Sequence, residues 1–348
     1  MINRSPFLFI MGLLILASSV NSQTIAPPYT VATWQGFRTA AVSFTFDDGC
    51  PKQFSIAIPM FNEYGFKLTL FTVTGSNWVW PTDWTKLQSA AANGHEVASH
   101  TVTHTSFNGM SNSLQTMELR DSREEINTHI PGRQCITMAY PFCVSGNGSI
   151  VAQYYIAARI CSGSIEPPTP SDFLNISSIT CGSEGPVKTT QDFINTVGSA
   201  VDSKGWCVLM LHGLDNDGSW SPFPSGTLRK CLEYLHSNPD KFWVSTFGNE
   251  IRYIKERNSV SVSEKDITDK SLTVLVTDKL DNSIFNVPIT LRRTLPNRWN
   301  SAKVVQNRVP VESKIVQVDN VKYVQFDAVP DGGDVIITKS NSTNVQAH

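Results

Sequence analysis

Residues 41–49 read AVSFTFDDG, an apolar run that ends in two adjacent aspartates and a glycine. A short apolar run bounded by a turn signal predicts a buried β-strand. Comparable runs recur along the first three quarters of the chain, at residues 67–73, 95–99, 136–140, 207–211 and 242–247. Stretches with helical spacing or helix-forming residues separate them, at residues 51–64, 84–93, 114–128, 190–203 and 249–257. Alternating strands and helices predict β/α units around a parallel sheet, with Asn249 as the N-cap of the last helix.

The sequence changes character after residue 258. Residues 259–270 are polar and predict a linker. Short β-prone runs follow, separated by turn residues such as Asp281-Asn282, and they occupy residues 271–278, 284–292, 315–318, 323–326 and 334–339. Regularly spaced short strands predict a small all-β sandwich over residues 271–340, and residues 341–348 are expected to be a tail.

Residues 1–22 have the features of a secretory signal: Arg4, then an apolar run over residues 7–17, then small residues before Gln23. The apolar run is too short to span a bilayer comfortably. We therefore expect export to the medium, the periplasm or the cell envelope, without stable membrane insertion. A retained N-terminal anchor is the alternative. Residues 23–258 then form the predicted catalytic domain.

Net charge and cysteine content narrow the possible partners. The formal net charge of -2 provides no basic field that would attract nucleic acid. The seven cysteines could be oxidised in an exported protein, but an odd number leaves at least one thiol free. No CxxC pair occurs, which argues against a cysteine-based zinc site. Spacing does not determine the disulfide pairing, and Cys161 with Cys181 is a guess.

Polar residues follow several of the predicted strands directly. Asp47 and Asp48 follow the strand at residues 41–46, His100 follows the strand at 95–99 with His104 four residues later, and His212 follows the strand at 207–211. Each feature alone has an ordinary explanation: a turn, two packed or surface histidines, or a structural histidine. Parallel barrel strands, however, share one carboxyl-terminal face, where barrel enzymes keep their sites. Together the features predict one site.

The residue types suit metal-assisted hydrolysis. One carboxylate and two imidazoles are a common ligand set that leaves positions open for water and substrate. Residues four apart lie on one face of a helical turn, so His100 and His104 can reach the same ion. A second carboxylate can take a proton from a water molecule whose pKa the metal lowers. His212 titrates in a useful range for returning a proton to a leaving group.

Three motifs carry a family resemblance: TFDDG at residues 45–49, SHTVTH at 99–104 and LMLH at 209–212. They resemble the polysaccharide deacetylase family, also called the NodB-homology domain or carbohydrate esterase family 4, over residues 39–257. The resemblance implies a distorted (β/α) barrel. It also implies a hydrolase that removes N- or O-acetyl groups from a polysaccharide or oligosaccharide, such as a chitin-like sugar, peptidoglycan or xylan.

The resemblance also implies roles for individual residues. Asp47 matches the general base and His212 the catalytic acid, so that water activated at the metal attacks the acetyl carbonyl. The implied metal ligands are Asp48, His100 and His104, with Zn²⁺ as the expected ion. Residues 139–142 (AYPF) match a third motif. By that match, the backbone N–H of Phe142 joins the metal in holding the oxyanion.

Two departures from the family pattern leave other functions open. Ala139 stands where many relatives have an Arg that pairs with the base, so Asp47 must be tuned by another group. The Asp that orients the catalytic histidine has no clear match, and Asp172, Asp215 and Asp217 are all eligible. The main rival function is a non-catalytic carbohydrate-binding protein on a deacetylase scaffold. A metal-dependent phosphoesterase is a second rival, although the sequence has no evident phosphate-binding Gly-rich loop.

Aromatic residues near the predicted strand ends are candidates for stacking on sugar rings, and core or loop packing is the alternative. Trp220 and Phe223 are the best placed of them to line a cleft. The other candidates in the barrel are Trp78, Trp80 and Trp84. In the C-terminal part, Trp299, Tyr323 and Phe326 could stack on sugars, but burial in a sandwich core is the favoured interpretation.

Overall fold

The computed structural model describes residues 24–25 and 29–340, so the predicted signal and tail lie outside the described residues. Two short strands, β1 (Thr24–Ile25) and β2 (Tyr29–Val31), precede a sheet of eight parallel strands. The strands of this sheet are β3 (Ala40–Asp47), β4 (Thr69–Thr72), β5 (Glu96–Ser99), β6 (Thr137–Ala139), β7 (Ala157–Arg159), β8 (Ile179–Thr180), β9 (Trp206–Leu211) and β10 (Phe242–Val244). Their order is β7-β6-β5-β4-β3-β9-β8, with β10 beside the first half of β3.

The helices that connect these strands pack on the sheet. They are α1 (Ile58–Glu63), which continues a π-helical turn at Gln53–Ala57, α2 (Trp84–Ala92), α3 (Asn112–His129), α4 (Gly148–Val151), α5 (Thr190–Ser203), α6 (Ser225–His236) and α7 (Phe247–Ser259). The predicted N-cap at Asn249 is wrong, because the hydroxyl of Thr246 accepts the Asn249 N–H and the helix begins at Phe247. None of the helices in the described part of the chain has the length and apolar character that crossing a bilayer requires.

The two faces of the parallel sheet bury different residues. In β3, residues 40, 42, 44 and 46 pack in the core that contains the outer helices, whereas Ala41 belongs to a second core on the opposite face. Side chains alternate along a strand, so Asp47 lies on the same face as Ala41. Phe247 and Ile251 of α7 contribute to that second core. The inner face of the sheet is therefore covered by α7 and presents Asp47 at its carboxyl end.

The sheet curls toward closure. Arg159, at the end of β7, bridges Ile176 in parallel, and Ile176 lies just before β8 at the other edge of the sheet. Two backbone hydrogen bonds, from Ile160 to Ile176 and from Ile176 to Ala158, hold this junction. The predicted distorted (β/α) barrel is thus confirmed as a curled parallel sheet with helices packed on it.

The C-terminal part consists of two further sheets. Its strands are β11 (Ser261–Ile267), β12 (Ser271–Thr277), β13 (Ile289–Thr294), β14 (Ala302–Gln306), β15 (Val309–Val311), β16 (Ser313–Val318), β17 (Val321–Ala328) and β18 (Val335–Lys339). The sheet orders are β1-β11-β12-β18-β14-β15 and β16-β17-β13-β2. Buried residues of both sheets, such as Val274 and Leu291, share one apolar core, as expected for the predicted all-β sandwich.

The boundaries of this sandwich differ from the prediction at two places. Residues 261–267, predicted within a linker, form β11, whose polar sequence buries only Val262 and is held by backbone pairing with β12. Strands β1 and β2 come from the predicted catalytic domain but pair with β11 and β13. Short strands of this kind have no sequence pattern of their own, because backbone pairing with distant strands defines them.

Candidate metal centre

The carboxyl end of β3 delivers two adjacent carboxylates to one place. Asp47 is 2% exposed, and Asp48 adopts a left-handed conformation with φ of 76° as the chain leaves the strand. The Asp48 N–H donates to the Phe71 carbonyl at 3.1 Å, and the Asp48 carbonyl accepts from the Trp78 indole at 2.9 Å. These two hydrogen bonds fix the peptide that carries Asp48.

His100 and His104 face Asp48 through the same ring nitrogen. Their Nε2 atoms lie 3.6 Å and 3.4 Å from Asp48 Oδ1, and the three ligand atoms lie within 4.8 Å of one another. His100 Nδ1 lies 2.8 Å from the Ala139 carbonyl, which can only accept, so Nδ1 carries the proton and Nε2 presents its lone pair. The predicted ligands thus come together in the structure.

This arrangement fits a divalent cation. Asp48 Oδ1 is buried and has no hydrogen-bond partner among the described residues, although two imidazole nitrogens face it. Burial, with a further contribution from Asp47, raises the pKa of Asp48 to about 7. Burial also lowers the pKa of His100 to about 3. Three electron-rich atoms in a dry site repel one another, and a cation between them would offset that repulsion.

A loop, and not a helical turn, brings the two histidines together, so that part of the prediction is wrong. Thr101 and His104 have φ values of 68° and 56°, which reverse the chain between the ligands. Glu118 of α3 accepts the backbone N–H groups of Val102 and Thr103 at 2.8 Å and 2.9 Å. Glu118 therefore anchors the loop from outside the site, and no sequence motif had singled it out.

Arg159 is the group that takes the place of the Arg missing at position 139. Its guanidinium is buried and pairs with Asp47 Oδ2, and it also donates to the Ser178 hydroxyl at 3.0 Å. Ala139 on β6 and Arg159 on β7 are direct register partners, so the positive charge lies on β7 and not on β6. Burial alone would raise the pKa of Asp47, but the guanidinium, together with His100 and His212, outweighs burial and holds that pKa below its ordinary value.

His212 completes the site, with its Nε2 atom facing both aspartates. Its Nε2 lies 3.9 Å from Asp48 Oδ2 and 4.0 Å from Asp47 Oδ2. Its Nδ1 is buried and has no hydrogen-bond partner among the described residues. Burial lowers the pKa of His212. The amide of Gln53 donates to the carbonyls of Asp47 and His212 and thereby ties β3 to β9.

None of the three candidates for orienting His212 does so. Asp172 accepts the Leu174 N–H, Asp215 accepts the Ser225 N–H, and Asp217 accepts the backbone N–H groups of Leu214 and Ser219. Each carboxylate therefore stabilises its own loop. The family's orienting acid has no equivalent at the Nδ1 atom of His212 in this part of the chain.

Phe142 lies at the rim of the centre. Its ring is 66% exposed and lies 4.8 Å from the His104 ring, and its backbone is left-handed with φ of 54°. A disulfide joins the next residue, Cys143, to Cys161, so the guessed pair of Cys161 with Cys181 is wrong. Because Cys161 lies two residues after Arg159, this disulfide links the Phe142 turn to the strand that carries Arg159.

Two tryptophans flank the centre from opposite sides. The Trp78 ring lies 4.6 Å from the His104 ring, and the Trp220 ring lies 4.9 Å from the His212 ring and is 52% exposed. Trp80 contacts Trp78, whereas Trp84 stacks on His129 of α3. The expected cleft position of Phe223 is wrong because that side chain is 1% exposed. Burial of Trp299 and Phe326 agrees with a packing role in the sandwich.

The chain is similar in sequence to two curated proteins. It is 32% identical over 333 residues to gellan lyase of a Bacillus species, a match that covers 88% of this chain and 13% of that protein. It is 29% identical over 101 residues to YxkH, a Bacillus subtilis protein that carries a polysaccharide deacetylase name, and this match covers 29% of this chain and 36% of YxkH. The chain thus spans well under half the length of these relatives.

One solved structure with a similar chain is the Xyl-CE4 domain of a multidomain xylanase from the hindgut metagenome of Trinervitermes trinervoides. The two chains are 19% identical with a TM-score of 0.46, and the match covers 64% of this chain and 94% of that domain. A second is the catalytic domain of a peptidoglycan N-acetylglucosamine deacetylase from Eubacterium rectale. It is 18% identical with a TM-score of 0.43, and the match covers 63% and 93% of the two chains.

The family model described as polysaccharide deacetylase matches residues 36–152. This segment contains Asp47 and the three residues whose ligand atoms converge, Asp48, His100 and His104. The resemblance seen in the sequence motifs is therefore confirmed over residues 36–152, the segment of the chain that matches the polysaccharide deacetylase family.

Proposed function

We propose that this chain is a secreted, metal-dependent carbohydrate deacetylase that hydrolyses N- or O-acetyl groups of a polysaccharide or oligosaccharide. The observation that carries the proposal is the convergence of one carboxylate oxygen and two imidazole nitrogens within 4.8 Å of one another. Asp47 and His212 lie beside this cluster, with both carboxylates about equally distant from His212 Nε2. Asp47, the three ligand residues and His212 thus surround one space, in which the proposed reaction would take place.

Asp48, His100 and His104 would hold the ion, and the mixed oxygen and nitrogen donor set suits Zn²⁺. When bound, a divalent ion at this place lowers the pKa of water and polarises the acetyl carbonyl.

Residues of the chain supply the proton transfers. Asp47 binds Arg159 through Oδ2, whereas Oδ1 has no hydrogen-bond partner in the described part of the chain and is available to take a proton from water. As that proton moves to Asp47, the water oxygen forms a bond to the carbonyl carbon, and the Phe142 N–H donates to the resulting oxyanion. The bond from carbon to the sugar nitrogen or oxygen then breaks, and His212 Nε2 gives its proton to the leaving atom. Acetate and the deacetylated sugar are the products.

Features around the centre support a sugar substrate and an exported protein. Trp78 and Trp220 flank the reaction volume with flat apolar surfaces on which sugar rings can stack. The Cys143–Cys161 disulfide is typical of proteins in an oxidising compartment. Export through residues 1–22 agrees with this disulfide.

The non-catalytic alternative loses part of its basis in the structure. It rested on the missing Arg and on the missing partner of the catalytic histidine. Arg159 provides the first function from β7, so Asp47 is paired and ionised. The remaining departure is the Nδ1 atom of His212, which has no hydrogen-bond partner among the residues that the structure describes.

An acetate-release screen tests the proposal. The purified protein is incubated with N-acetylchitooligosaccharide, peptidoglycan and acetylated xylan, and acetate is measured together with new free amines. We expect release from at least one substrate, a roughly 100-fold or larger loss with chelator, and recovery on adding Zn²⁺. Sugar binding without acetate release by the metal-loaded protein would support the non-catalytic reading, and phosphate release from phosphoesters would support the phosphoesterase.

A further inference from the structure

A polar cavity of about 850 Å³ lies at the amino-terminal end of the parallel sheet. The start of β5, the loop before β6, the first turns of α7 and the segment at residues 283–286 line it. Strand β5 begins at Glu96 in this cavity and ends at Ser99, and the next residue, His100, belongs to the metal centre. The cavity and the metal centre therefore lie at opposite ends of one strand. Its volume is in the range of small-ligand pockets.

The cavity is positively charged although the chain is not. Its charged lining residues are Lys67, Arg133, Arg252 and Glu96, which gives three positive charges and one negative charge, or +2. The whole chain has a formal net charge of -2. A local excess of positive charge in a concave, partly dry place attracts anions.

The one carboxylate of the cavity is already bound by the protein. Glu96 Oε2 accepts the Thr69 hydroxyl and the Gly248 N–H, both at 2.8 Å, and Oε1 accepts the Thr137 hydroxyl at 2.6 Å. Glu96 is thereby fixed at the start of α7 and forms no hydrogen bond with the basic side chains. Among the described residues, Lys67, Arg133 and Arg252 therefore form no direct ion pair with Glu96, and their donors can bind another anion.

Arg252 is the clearest example of a basic side chain in the cavity without a bonded carboxylate. Its guanidinium donates to two neutral amide oxygens of described residues, with Nη2 at 3.2 Å from Asn249 Oδ1 and Nη1 at 3.4 Å from Asn286 Oδ1. Its Nε is buried and has no partner among the described residues. Burial lowers the pKa of Arg252 and outweighs the opposite effect of the Glu96 and Glu256 carboxylates, and Arg133 lowers that pKa further. A partly buried guanidinium without a bonded carboxylate carries a desolvation cost that a bound anion would offset.

We infer that this cavity is a binding site for a carboxylate-bearing saccharide, separate from the metal centre. The planar guanidinium of Arg252 matches a carboxylate, and Arg133 at the exposed rim adds a second fork of donors. The side chains of Ser283, Asn249 and Asn286 supply hydroxyl and amide groups that suit sugar hydroxyls. A singly charged carboxylate meets less repulsion from Glu96 than a doubly charged phosphate.

Calorimetric titration with trigalacturonate tests this inference, and its methyl-esterified form is the matched neutral ligand. We expect trigalacturonate to bind and the ester not to bind, with affinity falling as salt rises. Arg133→Ala and Arg252→Gln should each weaken binding about tenfold or more. Lys230→Ala, which removes an exposed cation on α6, should leave the affinity unchanged. Asp48→Asn should also bind normally, because it changes only the metal centre.

Four results would overturn the inference. The ester could bind as well as the acid, both arginine variants could keep full affinity, or Asp48→Asn could abolish binding and so place the ligand at the metal centre. Acetate or inorganic phosphate could also bind as tightly as trigalacturonate, which would exclude recognition of the sugar. Arg133 is exposed, so its variant remains informative even if Arg252→Gln is unstable in a thermal melt. Acetate release is not the readout, so failure of the proposed deacetylase function leaves this test intact.

Discussion

The Asp47 side and the His212 side of the metal centre are built differently. Asp47 is held by a buried ion pair with Arg159, which is the register partner of Ala139 on the next strand. His212 occupies the equivalent strand end on β9, yet its Nδ1 has no hydrogen-bond partner among the described residues. Trp220, which is half exposed, contacts the outer side of its ring.

In the proposed mechanism, this contrast separates a proton transfer that depends on charge from one that depends on packing. Burial would raise the pKa of Asp47, but Arg159, with contributions from His100 and His212, lowers that pKa and favours the ionised carboxylate. The pKa of His212 is lowered mainly by burial, so packing decides its protonation and orientation. We therefore expect the role of Asp47 to be sensitive to substitutions that change a neighbouring charge. The role of His212 should be sensitive to substitutions that change the size of a neighbouring side chain.

The largest effect is expected from Asp47→Asn, which removes the proton acceptor and keeps the side-chain shape. General-base catalysis is worth about 10²- to 10⁴-fold, so acetate release should fall by roughly that factor. Metal content, measured by plasma emission, should remain near one ion per chain, because Asp47 is outside the ligand set. Asp48→Asn is the matched variant and should lose metal and activity together. Near-normal turnover by Asp47→Asn would show that another group is the base.

Arg159→Gln should have the next largest effect, a fall in kcat of about 10- to 100-fold with little change in KM. Without the guanidinium, burial raises the pKa of Asp47. Asp47 must be ionised to act, and activity rises with pH through its pKa, so the acidic limb of the pH profile should move to higher pH. Arg159→Lys keeps the charge and should recover part of the rate and the original limb. A lower rate with an unmoved limb in both variants would indicate a purely structural role.

Several residues of the site could be predicted from the sequence because each lies at the carboxyl end of a strand. Asp47, Asp48, His100 and His212 come after apolar runs whose ends must share one face of a parallel sheet. Strand β12 was predictable for a similar reason, since its buried and partly exposed residues alternate. Local pattern and sheet geometry were sufficient in these places.

Arg159 and the path of the chain between His100 and His104 were not predictable. Arg159 ends a strand of three residues, and its relation to Ala139 exists only in the register of β6 with β7. The histidine loop depends on left-handed residues and on Glu118, which lies 14 positions beyond His104 in α3. The Cys143–Cys161 pairing likewise depends on which loops meet above the sheet. Each is a contact between distant segments that leaves no periodic signal.

The smallest effect, and the one that tests the His212 side, is expected from Trp220→Ala. Removing the ring frees the imidazole, so kcat should fall about tenfold, whereas Trp220→Phe should retain most of the rate. Exposure to water relieves the burial that lowers the pKa of His212, and that pKa should rise. His212 acts while protonated, so activity falls with rising pH through its pKa, and the alkaline limb should move to higher pH. Trp80→Ala is the control, because Trp80 contacts Trp78 on the other side of the centre. If Trp220→Ala raised KM alone and left kcat and the alkaline limb unchanged, the ring would serve only as a sugar platform, and packing would not govern the acid side.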